Sequence, residues 1–241
     1  ILAERFLKGA GWVEIVFISF YGAYVTGKMK DPVQSPRWRL ITWTIFSAVF
    51  FLQLIIGIAG YEKFLMTGKL HLPIPMMILG GPVYREQVSF MTILFLTTVV
   101  LSGPAWCSQL CYFGAIDNLA SSGKTSRNPL RGKLALKSTF LIIVISAALI
   151  LRWFNVPPAA TTLIAASFGV AGLGIMVIFS RSKKKMVHCV LYCPVGTLVN
   201  LSRHVNPFRM YIDQSCTLCM LCTKHCKYDA LNEQDINNKK P

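Results

Sequence analysis

Acidic residues are scarce in this chain. It holds 10 Asp and Glu against 25 Lys and Arg in 241 residues, and charged residues of all kinds make up only 15%. So sparse a charge excludes an ordinary soluble surface. Histidine is scarce too: His71, His188, His204 and His225 all fall outside the apolar runs. Paired axial ligands for a haem between membrane helices are therefore missing, and no haem is expected. The phosphate-binding patterns G-x-G-x-x-G and Walker A do not occur. No general base or nucleophile stands out, so a complete enzyme is not expected. The first residues show no signal-peptide pattern of basic, apolar and cleavage regions.

What is abundant is apolar sequence, 54% hydrophobic, the composition of an all-α integral membrane protein. The net charge of +15 does not point to nucleic acid, because the cations sit between apolar runs, as in cytoplasmic loops of membrane proteins. Residues 40–61, 88–103, 138–154 and 159–180 read as four spans, and residues 11–27, carrying one acid, Glu14, as the expected extra helix. The last long run contains Ala165, Gly169 and Gly172, small residues that permit close helix contact. Residues 62–87 are broken by Pro73, Pro75, Gly80, Gly81 and Pro82. There a straight helix is not expected, and a re-entrant or membrane-resting loop fits better. His71 and Arg85 lie near its ends. With Glu14 they are the candidate quinone contacts, each weighed against a purely structural role. Basic residues at 28–39, 124–137 and 181–185 must share one side, which the positive-inside rule makes cytoplasmic.

The eight cysteines form three groups. Cys216, Cys219, Cys222 and Cys226 have the C-x2-C-x2-C-x3-C spacing of a bacterial ferredoxin half, a strong signal for a [4Fe-4S] cluster. Zinc more often shows two separated C-x2-C pairs, and a disulfide framework is unexpected beside a basic cytoplasmic segment. The other four form a repeat. Residues 107–119 and 189–201 share C-x3-C-x2-G-x3-N-L, placing Cys107 and Cys111 in register with Cys189 and Cys193. Two helix-pair halves, each ending in a thiol-bearing turn and a short surface helix, account for this. On a helix, thiols at i and i+4 share a face and suit one metal centre. Buried free cysteine, a reversible disulfide and a Cu(I) site are the alternatives. Eight thiols suffice for two clusters. Cys216, Cys219 and Cys222 hold the first. Cys226 joins a second with ligands from the repeat, one of whose thiols completes the first.

These features resemble the polyferredoxin-like membrane proteins. That group includes the quinol-dehydrogenase membrane subunit of periplasmic nitrate reductase, the nitrous-oxide reductase regulator and the copper-reducing assembly factor of cytochrome oxidase. Departures from its pattern are Tyr112 and Lys227 where proline is usual, and one ferredoxin run rather than two. The resemblance implies a subunit that moves electrons between a quinone pool and other redox subunits or a soluble carrier, through one or two [4Fe-4S] clusters. It implies a bacterial inner membrane location, with the lipid bilayer and quinone as further partners and the cysteine motifs on the cytoplasmic side. The alternative is a thiol- or copper-handling or redox-sensing assembly factor, and a membrane anchor with a structural cluster is a third reading. Three regions are expected: residues 1–39, an extra helix and basic link; 40–186, the transmembrane domain with the first C-x3-C turn; and 187–241, the second turn and a small ferredoxin-like segment.

Overall fold

The computed structural model describes residues 9–61, 64, 74–123, 129–130, 132–202, 205–206, 212–231 and 236–237, and every regular element among them is helical. His71 lies outside the described residues. The chain divides into two compact units, residues 1–69 and 70–241.

The first unit is a pair of helices, α1 (Gly11–Met29) and α2 (Ser35–Ile58). α2 opens with proline in its first turn, where the fixed φ suits a helix and the missing N–H would have no partner anyway. The Tyr24 and Trp38 rings meet edge to face at 5.4 Å, and Lys28 lies 5.7 Å from the Tyr24 centroid. Most large apolar side chains of α1 face outward, including Trp12, Phe17 and Phe20.

The second unit is built around α6 (Lys133–Trp153). α3 (Pro75–Arg85), α4 (Phe90–Ser102) and α5 (Tyr112–Ala120) precede it. α7 (Pro158–Ile175) continues through a π-helical turn at Met176–Ser180 into α8 (Arg181–Lys183). α9 (Pro194–Ser202) and the single turn α10 (Leu221–His225) complete the chain. Among the described residues, three helices are long and apolar enough to cross a membrane: α2, α6 and the continuous Pro158–Lys183 helix. The expected span at residues 88–103 is shorter than a bilayer requires. α4 has 13 residues, about 20 Å of helix against a hydrocarbon core of about 30 Å. α1 is helical over 19 residues but is not among the three.

Residues 75–85 differ from expectation. They form a helix despite Gly80, Gly81 and an internal Pro82. Packing accounts for it. A Cβ on Gly80 would lie 3.6 Å from Ala148 and 3.7 Å from Val144, so α3 rests its glycine against α6 at van der Waals contact. Ile74, Met76, Val144 and Ala165 form the buried cluster beneath. The far end of α3 is tied to the end of α6. The Tyr84 hydroxyl donates to Val156 O at 2.5 Å, Arg152 donates to Tyr84 O at 3.2 Å, and Arg152 pairs with Glu86 at 2.5 Å. Ala165, Gly169 and Gly172 of α7 are all buried. Gly169 admits Ile74, whose side-chain atoms would lie 3.2 Å from an added Cβ.

Candidate iron–sulfur site

The two C-x3-C stretches fold alike. Trp106–Leu110 and His188–Tyr192 are each a π-helical turn. Cys111 and Cys193 follow in extended conformation, at φ −74°, ψ 116° and φ −73°, ψ 117°. α5 and α9 then begin at once. The glycine of the motif has a steric reason. A Cβ on Gly196 would sit 2.9 Å from the carbonyl oxygen of Cys189, backbone that has no easy way to move. The sulfur of Cys111 caps α5, accepting the Gly114 N–H at 3.4 Å. An N–H···S bond of this kind favours a thiolate and so suits a metal ligand.

All four repeat thiols are near enough to influence one another. Burial pushes the Cys111 thiol up to about 12, with Cys193 adding to the rise and the amides of Gly114 and Phe113 opposing it. Burial likewise pushes Cys193 up to about 11, against the amides of Gly196 and Val195. Cys107 is raised by burial and then by Cys111 and Cys193. Cys189 is raised by burial, Asp117 and the other three thiols. The two turns therefore bring Cys107, Cys111, Cys189 and Cys193 into one neighbourhood, as neutral thiols that a metal would deprotonate. A small apolar cleft lined by Pro75, Ile78, Trp106, Tyr112, Phe113 and Val195 adjoins Cys111.

The ferredoxin run is different. Cys219 and Cys222 are exposed, and Cys216 and Cys226 are half-buried. The Leu221 amide holds the Cys219 thiol below its ordinary value, with help from the Thr217 hydroxyl. Leu218 and Met220 flank it at φ 56° and 55°. Non-glycine residues in this left-handed region are uncommon, and alternating conformations of this kind turn successive N–H groups into an anion-binding cradle.

The Cys226 end of the run is fastened to the repeat. The Tyr228 hydroxyl donates to Cys107 O at 3.1 Å, and Lys227 Nζ donates to Asn118 O at 3.2 Å. Met186 N–H donates to Lys227 O at 3.0 Å. Asp229 accepts the Leu130 N–H at 2.8 Å and pairs with Lys133 at 2.7 Å and Lys185 at 2.6 Å. Lys227, the departure from the usual proline, is thus one of the ties. Of the candidate quinone contacts, Arg85 folds back to donate to Gly81 O at 3.3 Å, and Glu14 is half-buried on α1.

Sequence reading missed Asp117, His188 and Asp229. Asp117 Oδ2 accepts the Cys189 N–H at 3.0 Å, joining the two turns. Burial raises its pKa. The nearby Ser180 hydroxyl, the Cys189 amide and thiol, and Lys227 pull the other way. Burial lowers His188 to about 3, so its imidazole is neutral. It stacks on Phe113 with centroids 5.8 Å apart. The only signals available were an acid inside the first motif and a histidine beside a motif cysteine.

Residues 88–137 and 165–209 match the 4Fe-4S binding domain family, and each stretch contains one C-x3-C turn. No curated protein and no solved structure matches the chain. The family match supports an iron–sulfur protein, and the thiol-rich turns with their N–H···S bonds fit such a group. The chain is similar to the 4Fe-4S binding domain family across both cysteine turns and the helices that lead into them.

Proposed function

We propose that the chain is a membrane electron-transfer subunit, moving electrons between a quinone or quinol pool and a redox partner through [4Fe-4S] clusters. One observation carries this reading: the Cys226 end of the ferredoxin run is tied directly to the backbone of the repeat turns, at Cys107 O and Asn118 O. When bound, the clusters supply one-electron carriers. Cys216, Cys219 and Cys222 hold the first. Cys226 joins the second, whose other ligands come from Cys107, Cys111, Cys189 and Cys193, with one of those four completing the first.

The protein's part is to hold the two thiol groups in fixed register and to keep water from the inner one. The inner group lies among buried side chains such as Phe113 and Val195. The exposed Cys219–Cys222 side is where another redox subunit or a soluble carrier meets the chain. Quinone reacts on the membrane side, with Arg85 and His71 of the second unit and, separately, Glu14 of the first as candidate contacts. The location is the bacterial inner membrane, cysteine turns toward the cytoplasm. α1 and the α3–α4 pair supply crossings beyond the three long helices, and the matched cysteine turns represent two helix-pair repeats.

Iron and acid-labile sulfide per chain, with EPR after dithionite reduction and after a quinol analogue, test the reading. About eight irons, two interacting reduced signals and reduction by quinol are expected. Only about four irons, unresponsive to quinol, would overturn it in favour of copper or disulfide chemistry at the repeat thiols.

A further inference from the structure

The two cysteine turns share a backbone but not a chemistry. Position 188 holds histidine where the first turn has Trp106, and Asp117 stands where the second has Val199. These two polar departures come from different halves, yet they meet. Ligand atoms of Asp117, His188 and Cys189 all lie within 4.8 Å of one another. Asp117 and His188 are 0% and 1% exposed. Asp117 Oδ1 and His188 Nδ1 have no hydrogen-bond partner within bonding geometry among the described residues. Buried polar atoms are nearly always satisfied, so a carboxylate oxygen that has only the nearby Ser180 hydroxyl and Cys189 thiol to turn to, and an imidazole nitrogen without a partner, call for an explanation beside one thiol. The fold also makes room for the ring. A Cβ on Gly172 would lie 2.9 Å from His188 Nε2.

We propose that Asp117, His188 and Cys189 bind a single divalent cation of the zinc type, separate from the iron of the clusters. The donor set is one thiolate, one neutral imidazole and one carboxylate, the three ligand types that zinc accepts. Cu(I) is a poorer fit, since it favours soft sulfur donors and Asp117 is a hard oxygen. A cubane takes one ligand per iron, whereas three donors this close converge on one ion. Second-shell support is present: the Cys189 amide fixes Asp117 Oδ2, and Phe113 and Tyr192 hold the imidazole from its faces. The inference rests on the iron–sulfur reading and amends its ligand scheme at one thiol, Cys189, which leaves the cluster set. With Cys189 on the divalent ion, Cys107, Cys111, Cys193 and Cys226 form the second cluster's set. One iron of the first cluster then takes a ligand other than cysteine.

The test is zinc, iron and acid-labile sulfide measured together on anaerobically purified, chelator-washed full chain, for the wild type, His188→Gln and Asp117→Asn. About one zinc per chain is expected in the wild type. Each variant should retain it at least roughly tenfold less well, with iron and sulfide unchanged. Absence of zinc from the wild type, or equal retention by the variants, overturns the site. So does loss of iron from the variants of a zinc-free protein, which would make the pair part of a cluster instead. Should the variants not fold, zinc X-ray absorption of the wild type decides. One sulfur near about 2.3 Å with nitrogen and oxygen near about 2.0–2.2 Å supports the site, and an all-sulfur shell overturns it. Iron and sulfide from the same sample report separately on the electron-transfer reading.

Discussion

Gly196 and the four neutral thiols set the limits at the scale of single residues. An alanine at 196 would press its Cβ to 2.9 Å from the Cys189 carbonyl, and the tight turn has no flexible side chain to displace. Gly196→Ala should cost about 1–3 kcal/mol, the usual penalty of overpacking. Thermal unfolding measured beside iron content should show a lowered midpoint, while a midpoint equal to wild type would show that the turn yields. Gly172→Ala makes a second test, because its Cβ would lie 2.9 Å from the buried His188 ring. The thiols make a prediction about pH. Burial raises Cys107, Cys111, Cys189 and Cys193 above their ordinary value, so they carry protons at neutral pH. A metal takes them as thiolates, so loading releases protons and strengthens as pH rises, roughly tenfold per pH unit for each proton released. Anaerobic reconstitution of metal-free protein at pH 6.5 and 8.5 should show iron uptake climbing with pH. A variant with serine at all four positions, loading only through the run with its lowered Cys219, should show a weaker climb.

Among the elements, the junction between the ferredoxin run and α6 is held chiefly by one carboxylate. Asp229 pairs with Lys133 and Lys185 and accepts the Leu130 N–H. Partial burial alone would raise its pKa, but these hydrogen bonds outweigh it and hold the carboxyl below its ordinary 3.8. A depressed carboxylate stabilises the fold above its unfolded pKa and loses that contribution as pH falls through the folded value. Asp229→Asn should therefore cost about 2 kcal/mol at pH 7, less than breaking a fully buried pair because the carboxylate keeps some exposure. The wild type should approach the variant below pH 3.8. Exchange of the Met186 amide hydrogen, which bonds to Lys227 O, measured in both proteins across this range, checks it. Equal protection at pH 7 would show that Tyr228 and Lys227 suffice. This junction was not legible in the sequence, because Leu130 and Asp229 are 99 residues apart and a lone aspartate has no periodicity. The cysteine turns were legible, since metal-ligand spacing and a matched glycine survive as a written pattern. α3 was misread for a physical reason. Proline and glycine argue against a helix in isolation, and only the α6 surface formed by Val144 and Ala148 makes Gly80 an advantage.

For the second unit as a whole, helix lengths predict how deep the cysteine turns sit in a bilayer. α4 runs from the end of α3, where Glu86 pairs with Arg152, to the first turn in 13 residues, about 20 Å. That is short of the hydrocarbon thickness by about 10 Å. The second turn gives an independent measure. His188 packs against Gly172, which lies 11 residues before the basic end of the long helix at Lys183, roughly 16 Å of helix. With the long helices across a bilayer, these lengths predict both turns recessed from the basic boundary rather than resting on it. Cys219 and Cys222, by contrast, are exposed. On the electron-transfer reading proposed above, this would put the inner thiols at membrane depth, within reach of a lipid-dissolved carrier, and the exposed run in water. Labelling metal-free protein in oriented membrane vesicles with a membrane-impermeant maleimide checks the placement. Cys219 and Cys222 should react from the cytoplasmic face alone, and a cysteine placed at Asn155, in the turn after α6, should react from the opposite face alone. Cys111, Cys189 and Cys193 should resist from both faces until detergent or unfolding exposes them. Rapid labelling of Cys111 or Cys193 in intact vesicles would bring the turns to the surface, and the inner group would lose its access to a membrane-dissolved quinone.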